Sequence, residues 1–274
     1  MTSETSMPKV ETFKNGSVCH VIDPLDRAFL YGDGLFTSVR ISEAIPQLWK
    51  HHLHRLQVGA DRLSLDVDLS EVESDVFQKA EYLKQGVLKI IISRGVGARG
   101  YFPPQQHADV YLQLFPSTES LHAVCKPSIA SGVLTSQLGQ VMPQLAGLKT
   151  LNRLEQVLLR QELSSCGWHE GLVCDANDFI VEGVYSNCFF LVDGEWWTPP
   201  IDCSGILGVM RAELLERMQV RDIPIHLKTL QRDEVTRIEA LFFCNALTQI
   251  VPVSTLIGRT LNLSAVTSLA NLLF

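Results

Sequence analysis

Asp193-Gly194 stands between two strand-like runs, residues 188–192 and 195–198. An Asp-Gly pair in that setting forms a tight hairpin turn, because both residues accept positive φ. A hairpin makes its two strands antiparallel neighbours, so a purely parallel, doubly wound sheet is excluded. Other strand-like runs occupy residues 17–22, 34–41, 86–94, 109–115, 128–134, 171–175, 179–182, 240–244 and 250–253. Helical patterns lie among them. Residues 51–65 space Leu53, Leu56, Val58, Ala60 and Leu63 as one helix would. Residues 70–84 open with Ser70 and Glu73, a capping box. Asn152 caps a third helix, carrying Leu154, Val157, Leu158 and Gln161, that Gly167 stops. A fourth runs over 209–218. The class is mixed α/β.

Pro116-Ser117-Thr118-Glu119-Ser120 is short, polar and led by proline. It divides an N-terminal domain, 1–115, from a C-terminal domain, 121–274, with 116–120 as linker. The full 274 residues carry a net charge of -7 and 19% charged residues, with no basic block. That argues against nucleic acid as a partner. No apolar run approaches a membrane span, and Met1-Thr2-Ser3-Glu4-Thr5-Ser6 is too polar for a signal peptide. Seven cysteines, with no Cys-x-x-Cys pair, suit reduced thiols in a cytoplasmic protein. The eight histidines form no metal-ligand spacing, His51, His52 and His54 included.

Three segments carry chemistry. Lys149 lies in Leu145-Ala146-Gly147-Leu148-Lys149-Thr150-Leu151, just ahead of a helix. Most such lysines are solvated surface groups, but apolar flanks would desolvate this amine and make it nucleophilic at neutral pH. Glu182 sits in an otherwise apolar strand-like run, Ile180-Val181-Glu182-Gly183. It either faces outward or has a buried partner, since an unpartnered buried carboxylate is costly. Gly205-Ile206-Leu207-Gly208 turns into the helix at 209 and could direct the amides of Val209 and Met210 at an anion. Arg55 offers a guanidinium for the same anion. An amine, a carboxylate and an anion-binding helix start are the parts that hold pyridoxal phosphate. Arg94 and Arg99, in the glycine-rich stretch after a strand, and Arg40, ending another, suit the recognition of carboxylates.

Together these segments resemble the fold-type IV pyridoxal-phosphate enzymes. That family holds branched-chain and D-amino-acid aminotransferases and aminodeoxychorismate lyases. The resemblance runs from Asp26-Arg27-Ala28 and Tyr31-Gly32-Asp33-Gly34-Leu35-Phe36 to Val251-Pro252-Val253. The lysine segment, continued by Asn152-Arg153-Leu154-Glu155-Gln156, is similar to that of the lyases, as are Ser93-Arg94-Gly95, Arg99-Gly100-Tyr101 and Cys244-Asn245-Ala246-Leu247. The resemblance implies a two-domain, D-amino-acid aminotransferase-like fold with the cofactor in an interdomain cleft. It implies Lys149 as the Schiff-base lysine and Glu182 as partner of the pyridine nitrogen. Arg55 and the amides of Val209, Met210 and Ala246 would take the phosphate, with Asn187 near the cofactor. Arg94 lies where aminotransferases hold a substrate carboxylate. The implied reaction converts 4-amino-4-deoxychorismate to 4-aminobenzoate and pyruvate, a step of folate synthesis, in a homodimer. Lys149 is the base, and Thr37 is a candidate to assist the leaving group. Two other readings are an aminotransferase of the same fold and a non-catalytic binding protein. The stretch Gly183-Val184-Tyr185-Ser186-Asn187 lacks the second glutamate that many of the aminotransferases carry.

Overall fold

A computed structural model of the chain describes residues 10–117 and 125–274. The polar N-terminal residues 1–6 and the linker residues 118–120 lie outside the described residues. The chain divides into two compact units. The first takes the described residues up to 117 together with Lys149–Asn152. The second takes 125–148 and Arg153–Phe274. The four residues that include Lys149 thus group with the first unit, although the chain on either side of them belongs to the second.

The first unit is built from β1 (Glu11–Lys14), β2 (Ser17–Val18), α1 (Arg27–Tyr31), β3 (Gly34–Ser42), β4 (Ile45–Pro46), α2 (Trp49–Leu63), α3 (Leu69–Leu83), β5 (Gly86–Ser93) and β6 (Asp109–Pro116). Its six strands form one sheet in the order β2-β1-β6-β5-β3-β4. Every pairing is antiparallel. Alternation in β3 and β5 turns Leu35, Val39, Ile41, Leu88, Ile90 and Ile92 onto one face. There they pack with Leu56 and Ala60 of α2 and Val72, Val76 and Ala80 of α3. The strand expected over 17–22 stops at Val18. The cap of α3 is Asp68 and not Ser70: the Asp68 carboxylate accepts from the amides of Ser70 and Glu71. Glu73, expected in a capping box, accepts instead from the Trp49 indole. Pro116, expected in the linker, closes β6 opposite Gly86.

The second unit contains β7 (Ile129–Ser131), β8 (Val133–Leu138), α4 (Leu154–Ser165), β9 (Leu172–Asp175), β10 (Ile180–Gly183), β11 (Asn187–Val192), β12 (Glu195–Thr198), α5 (Val209–Val220), β13 (Ile225–Leu227), a 3-10 turn (Arg232–Arg237), β14 (Ala240–Asn245), β15 (Gln249–Leu256), β16 (Arg259–Thr260) and α6 (Leu263–Leu273). One sheet runs β10-β9-β8, and a larger one β13-β12-β11-β14-β15-β16, with β7 beside β15. The Asp193-Gly194 hairpin joins β11 to β12, with both turn residues at positive φ. Parallel pairs also occur, β12 with β13 and β8 with β9, so the class is mixed. Phe190, Leu241, Phe243, Ile180 and Val253 build the core.

Helix α4 differs from its sequence pattern. Its N-cap is Arg153, while Asn152 donates to the Tyr31 carbonyl. Leu159 and Leu163 are the residues it buries, and the stripe Leu154, Val157 and Leu158 is exposed. Among the described residues, no helix is long and apolar enough to cross a membrane.

Candidate active site

Main-chain bonds fix Lys149 in the first unit. The Phe36 amide donates to the Lys149 carbonyl at 3.0 Å, and the Leu151 amide to the Gly34 carbonyl at 3.1 Å. Thr150 sits opposite Leu35 as a short antiparallel bridge. The half-buried Lys149 side chain lies against Phe36, its Nζ 4.6 Å from the ring centroid. Lys89 of β5 approaches the same ring, at 5.0 Å. Burial lowers the pKa of Lys89 below the ordinary lysine value. Alternation puts Ser38 and Arg40 on the same face of β3 as Phe36. Arg40 is buried, and burial lowers its pKa too. A face carrying Lys149, Lys89 and Arg40 favours an anionic substrate. Lys89 was not singled out from the sequence. Its signal was a lysine between Leu88 and Ile90 in an apolar strand.

The opposite face of β3 carries Thr37, which points at α2. Its Oγ1 lies 2.7 Å from Nδ1 of His52 and accepts from Nη1 of Arg55 at 3.2 Å. Thr37 and His52 are fully buried. Burial lowers the pKa of Arg55 to about 10. Thr37, an expected assistant to proton transfer, is therefore on the other side of the strand from Phe36. His52 went unread because three nearby histidines were judged only as metal ligands. Its signal was the spacing His52-x-x-Arg55 on one helix.

Arg94, expected to hold a substrate carboxylate, has a structural task. Nε donates to Asp33 at 2.8 Å, Nη1 to the Ser64 carbonyl at 3.0 Å and Nη2 to the Leu63 carbonyl at 2.7 Å. It closes the C-terminal end of α2, where a cation meets the helix dipole favourably. Asp33 also takes Nε of Arg27, whose Nη atoms donate to the carbonyls of Gly100 and Tyr101. Burial raises the Asp33 pKa, but hydrogen bonds and charge from Arg94 and Arg27 outweigh it, and the net shift is downward. Arg99 is exposed. The Arg27–Asp33–Arg94 network went unread because Arg94 lies 61 positions from Asp33 in sequence.

In the second unit all four residues of β10 are buried, so Glu182 does not face outward. Its carboxylate accepts from the Ile206 amide at 2.9 Å, and Nδ2 of Asn187 lies 3.4 Å away. Asn187 Nδ2 also donates to the Ile206 carbonyl at 2.8 Å. Both polar groups of Ile206 are thus held. A Cβ on Gly208 would come within 1.9 Å of the Asn187 Oδ1, so only glycine lets the loop lie this close. The charge of Glu182 also acts on Arg153, raising a pKa that burial lowers more strongly. Gly208 is the N-cap of α5 and supplies no side-chain cap to the amides of Val209 and Met210. The chain ahead of Lys149 is tied to this loop through the Leu207 amide and the Gly147 carbonyl, 3.0 Å apart. Ala246 lies in the turn between β14 and β15, which Asn245 shapes by accepting from the amides of Leu247 and Thr248.

Glu170 is a buried carboxylate that the sequence reading passed over. Its Oε1 accepts from the amides of Gly171 and Val184, at 3.1 and 2.8 Å. It interacts with the Ser186 hydroxyl, which in turn accepts from Asn245. It therefore pins the turn that leads into Asn187. Burial raises its pKa from 4.5 to about 7, against the pull of its hydrogen bonds. Between those values the folded chain holds a proton that the unfolded chain has lost. The resulting stability is complete below the unfolded pKa and is lost as pH rises through 7. Glu170→Gln mimics the protonated form. Denaturant unfolding should show the wild type losing on the order of 3 kcal/mol relative to this variant between pH 5 and pH 8. Parallel stability profiles would remove Glu170 as a titrating group.

A family model described as amino-transferase class IV matches residues 34–256. The chain belongs to this family. Class IV enzymes use pyridoxal phosphate, which is the cofactor of this chain. The aminodeoxychorismate lyase of Vibrio harveyi is 28% identical over 231 residues, covering 84% of this chain and 85% of its own. A putative branched-chain-amino-acid aminotransferase of Methanocaldococcus jannaschii is 26% identical, covering 88% and 84%. A crystal structure of 4-amino-4-deoxychorismate lyase from Pseudomonas aeruginosa superposes with a TM-score of 0.86. It is 33% identical and covers 95% of this chain and 97% of that one. Each unit supplies groups of the kind this cofactor needs: the first a half-buried amine (Lys149) and a guanidinium (Arg55), the second a buried carboxylate (Glu182) and a helix start without a side-chain cap (α5).

Proposed function

We propose that the chain is a 4-amino-4-deoxychorismate lyase. The observation that carries this reading is the near full-length similarity to the Pseudomonas aeruginosa lyase, at 33% identity. Lys149 would hold the aldehyde carbon of pyridoxal phosphate, Glu182 its ring nitrogen, and Arg55 with the amides of Val209, Met210 and Ala246 its phosphate. Asn187 is a positioning residue, through its bond to Ile206 beside Glu182. When bound, the cofactor withdraws electrons from the amine-bearing carbon of the substrate. Lys149 would take the proton from that carbon and return it to the enolpyruvyl group, which would leave as pyruvate as its carbon–oxygen bond to the ring breaks and the ring becomes aromatic. The products, 4-aminobenzoate and pyruvate, together contain every atom of the substrate. The substrate carries two carboxylates. Arg40 and Lys89, on the face that also holds Lys149, supply charge for its carboxylates; Arg99 is a further, exposed candidate.

A class IV aminotransferase is the second reading, favoured by the branched-chain relatives. Against it stands Ser186, where many such enzymes carry a second glutamate. We infer a cytoplasmic homodimer, as is usual for the family; the exposed stripe of Leu154, Val157 and Leu158 supports association. Purified protein loaded with pyridoxal phosphate should release 4-aminobenzoate and pyruvate in equal amounts from 4-amino-4-deoxychorismate. Conversion of an amino acid and a keto acid without that release would replace the lyase with the aminotransferase.

A further inference from the structure

The geometry points to Thr37 and His52 as positioning residues for the anion site of Arg55, with His52 acting through Thr37. This rests on the reading of Arg55 as the phosphate ligand. A guanidinium only donates, so Thr37 Oγ1 is the acceptor in its 3.2 Å contact with Arg55 Nη1. A hydroxyl oxygen can accept twice, so the 2.7 Å contact with His52 Nδ1 forms with the hydrogen on either atom. A neutral imidazole makes it in either tautomer. Burial first, then the charges of Arg55, His51 and Lys149, drive the His52 pKa well below its ordinary value, which agrees with the neutral form. The three side chains come from β3 and one helix, and none can shift without breaking a buried polar bond.

Thr37 thus links Arg55 to His52 through two polar contacts. It anchors one arm of the Arg55 fork and so sets the direction of the remaining N–H groups. A long, flexible arginine without such an anchor would lose more side-chain entropy on binding an anion. The arrangement therefore acts on the phosphate of the cofactor and not on its ring or aldehyde.

The test compares equilibrium binding of pyridoxal phosphate with that of pyridoxal, which lacks the phosphate, by absorbance titration of the apoprotein. Arg55→Met should weaken only the phosphorylated ligand. If it weakens both alike, or neither, Arg55 is not the phosphate ligand and the inference falls with that reading. With Arg55 selective, Thr37→Val should weaken pyridoxal phosphate about 10-fold and pyridoxal less than about 2-fold, on the scale of one hydrogen bond to a charged group. Thr37→Ser, which keeps the hydroxyl, should restore the preference. His52→Leu should produce the same selective loss, and none further when combined with Thr37→Val. Equal weakening of both ligands by Thr37→Val, or full additivity in the double variant, would overturn the assignment.

Discussion

Lys149→Ala should leave a folded protein that no longer binds its cofactor covalently. The visible band of the bound cofactor should be absent, and activity should fall by about four orders of magnitude or more, as when a nucleophile is removed. The fold survives because the segment is held by its backbone. The Lys149 carbonyl, the Thr150 bridge and the Leu151 amide make the contacts with β3, and alanine keeps all of them. The side chain contributes its approach to the Phe36 ring. A half-buried contact of that kind contributes on the order of 1 kcal/mol. The direct check is borohydride reduction of the loaded wild type followed by peptide mass analysis, which should find the cofactor on Lys149. Attachment at Lys89, the other amine at that ring, would move the nucleophile to β5.

Glu182→Gln should bind pyridoxal phosphate and turn over about 10²–10³-fold more slowly, equivalent to some 3–4 kcal/mol of transition-state stabilisation. The carboxylate is buried and accepts from the Ile206 amide. Glutamine keeps an acceptor oxygen for that amide and a similar volume, so it removes charge and little else. In the proposed role, the charge would hold a proton on the ring nitrogen, which strengthens the cofactor as an electron sink. Alanine is the poorer test, because it would leave the Ile206 amide without its acceptor and open a cavity. A drop in kcat with near-normal cofactor affinity is the expected pattern. Activity within threefold of the wild type would free Glu182 of the role.

Local order was legible in this chain wherever one segment carried its own signal. The alternation of Leu35, Val39 and Ile41 described β3, and Asp193-Gly194 described its hairpin, because both depend on neighbours in sequence. Helix starts were harder. Asp68 and Ser70 are both good caps two residues apart, and the choice fell to Asp68, which takes two amides. Asn152 is also a good cap in isolation, but its amide group goes to Tyr31. The stripe that marked α4 as a helix, Leu154, Val157 and Leu158, is exposed, since periodicity reports that a face is apolar and not what covers it. Lys149, Glu182 and Arg55, the proposed cofactor residues, each sit in a recognisable local setting. Arg94 does as well, and its setting misled: the carbonyls of Leu63 and Ser64 that occupy it come from another helix end. Glu170 and the link from Thr37 to α2 are long-range constructions; the spacing His52-x-x-Arg55 puts two side chains on one helix but does not announce what joins them.

The grouping of Lys149–Asn152 with the first unit has a consequence for how the chain is made. β3 is bordered along part of its outer edge by β4, at Ile41 and Ser42, and at Gly34–Phe36 by residues 149–151. During synthesis the first unit's six strands leave the ribosome well before that border does. Asn152 and Tyr31 are 121 positions apart. For that interval the amide of Phe36 and the carbonyl of Gly34 form an open strand edge, the kind of surface on which nascent chains associate. The last stretch to complete the first unit is also the one that carries Lys149. A nascent chain can therefore build its sheet early, but it acquires the proposed Schiff-base lysine only after the leading part of the second unit has been translated.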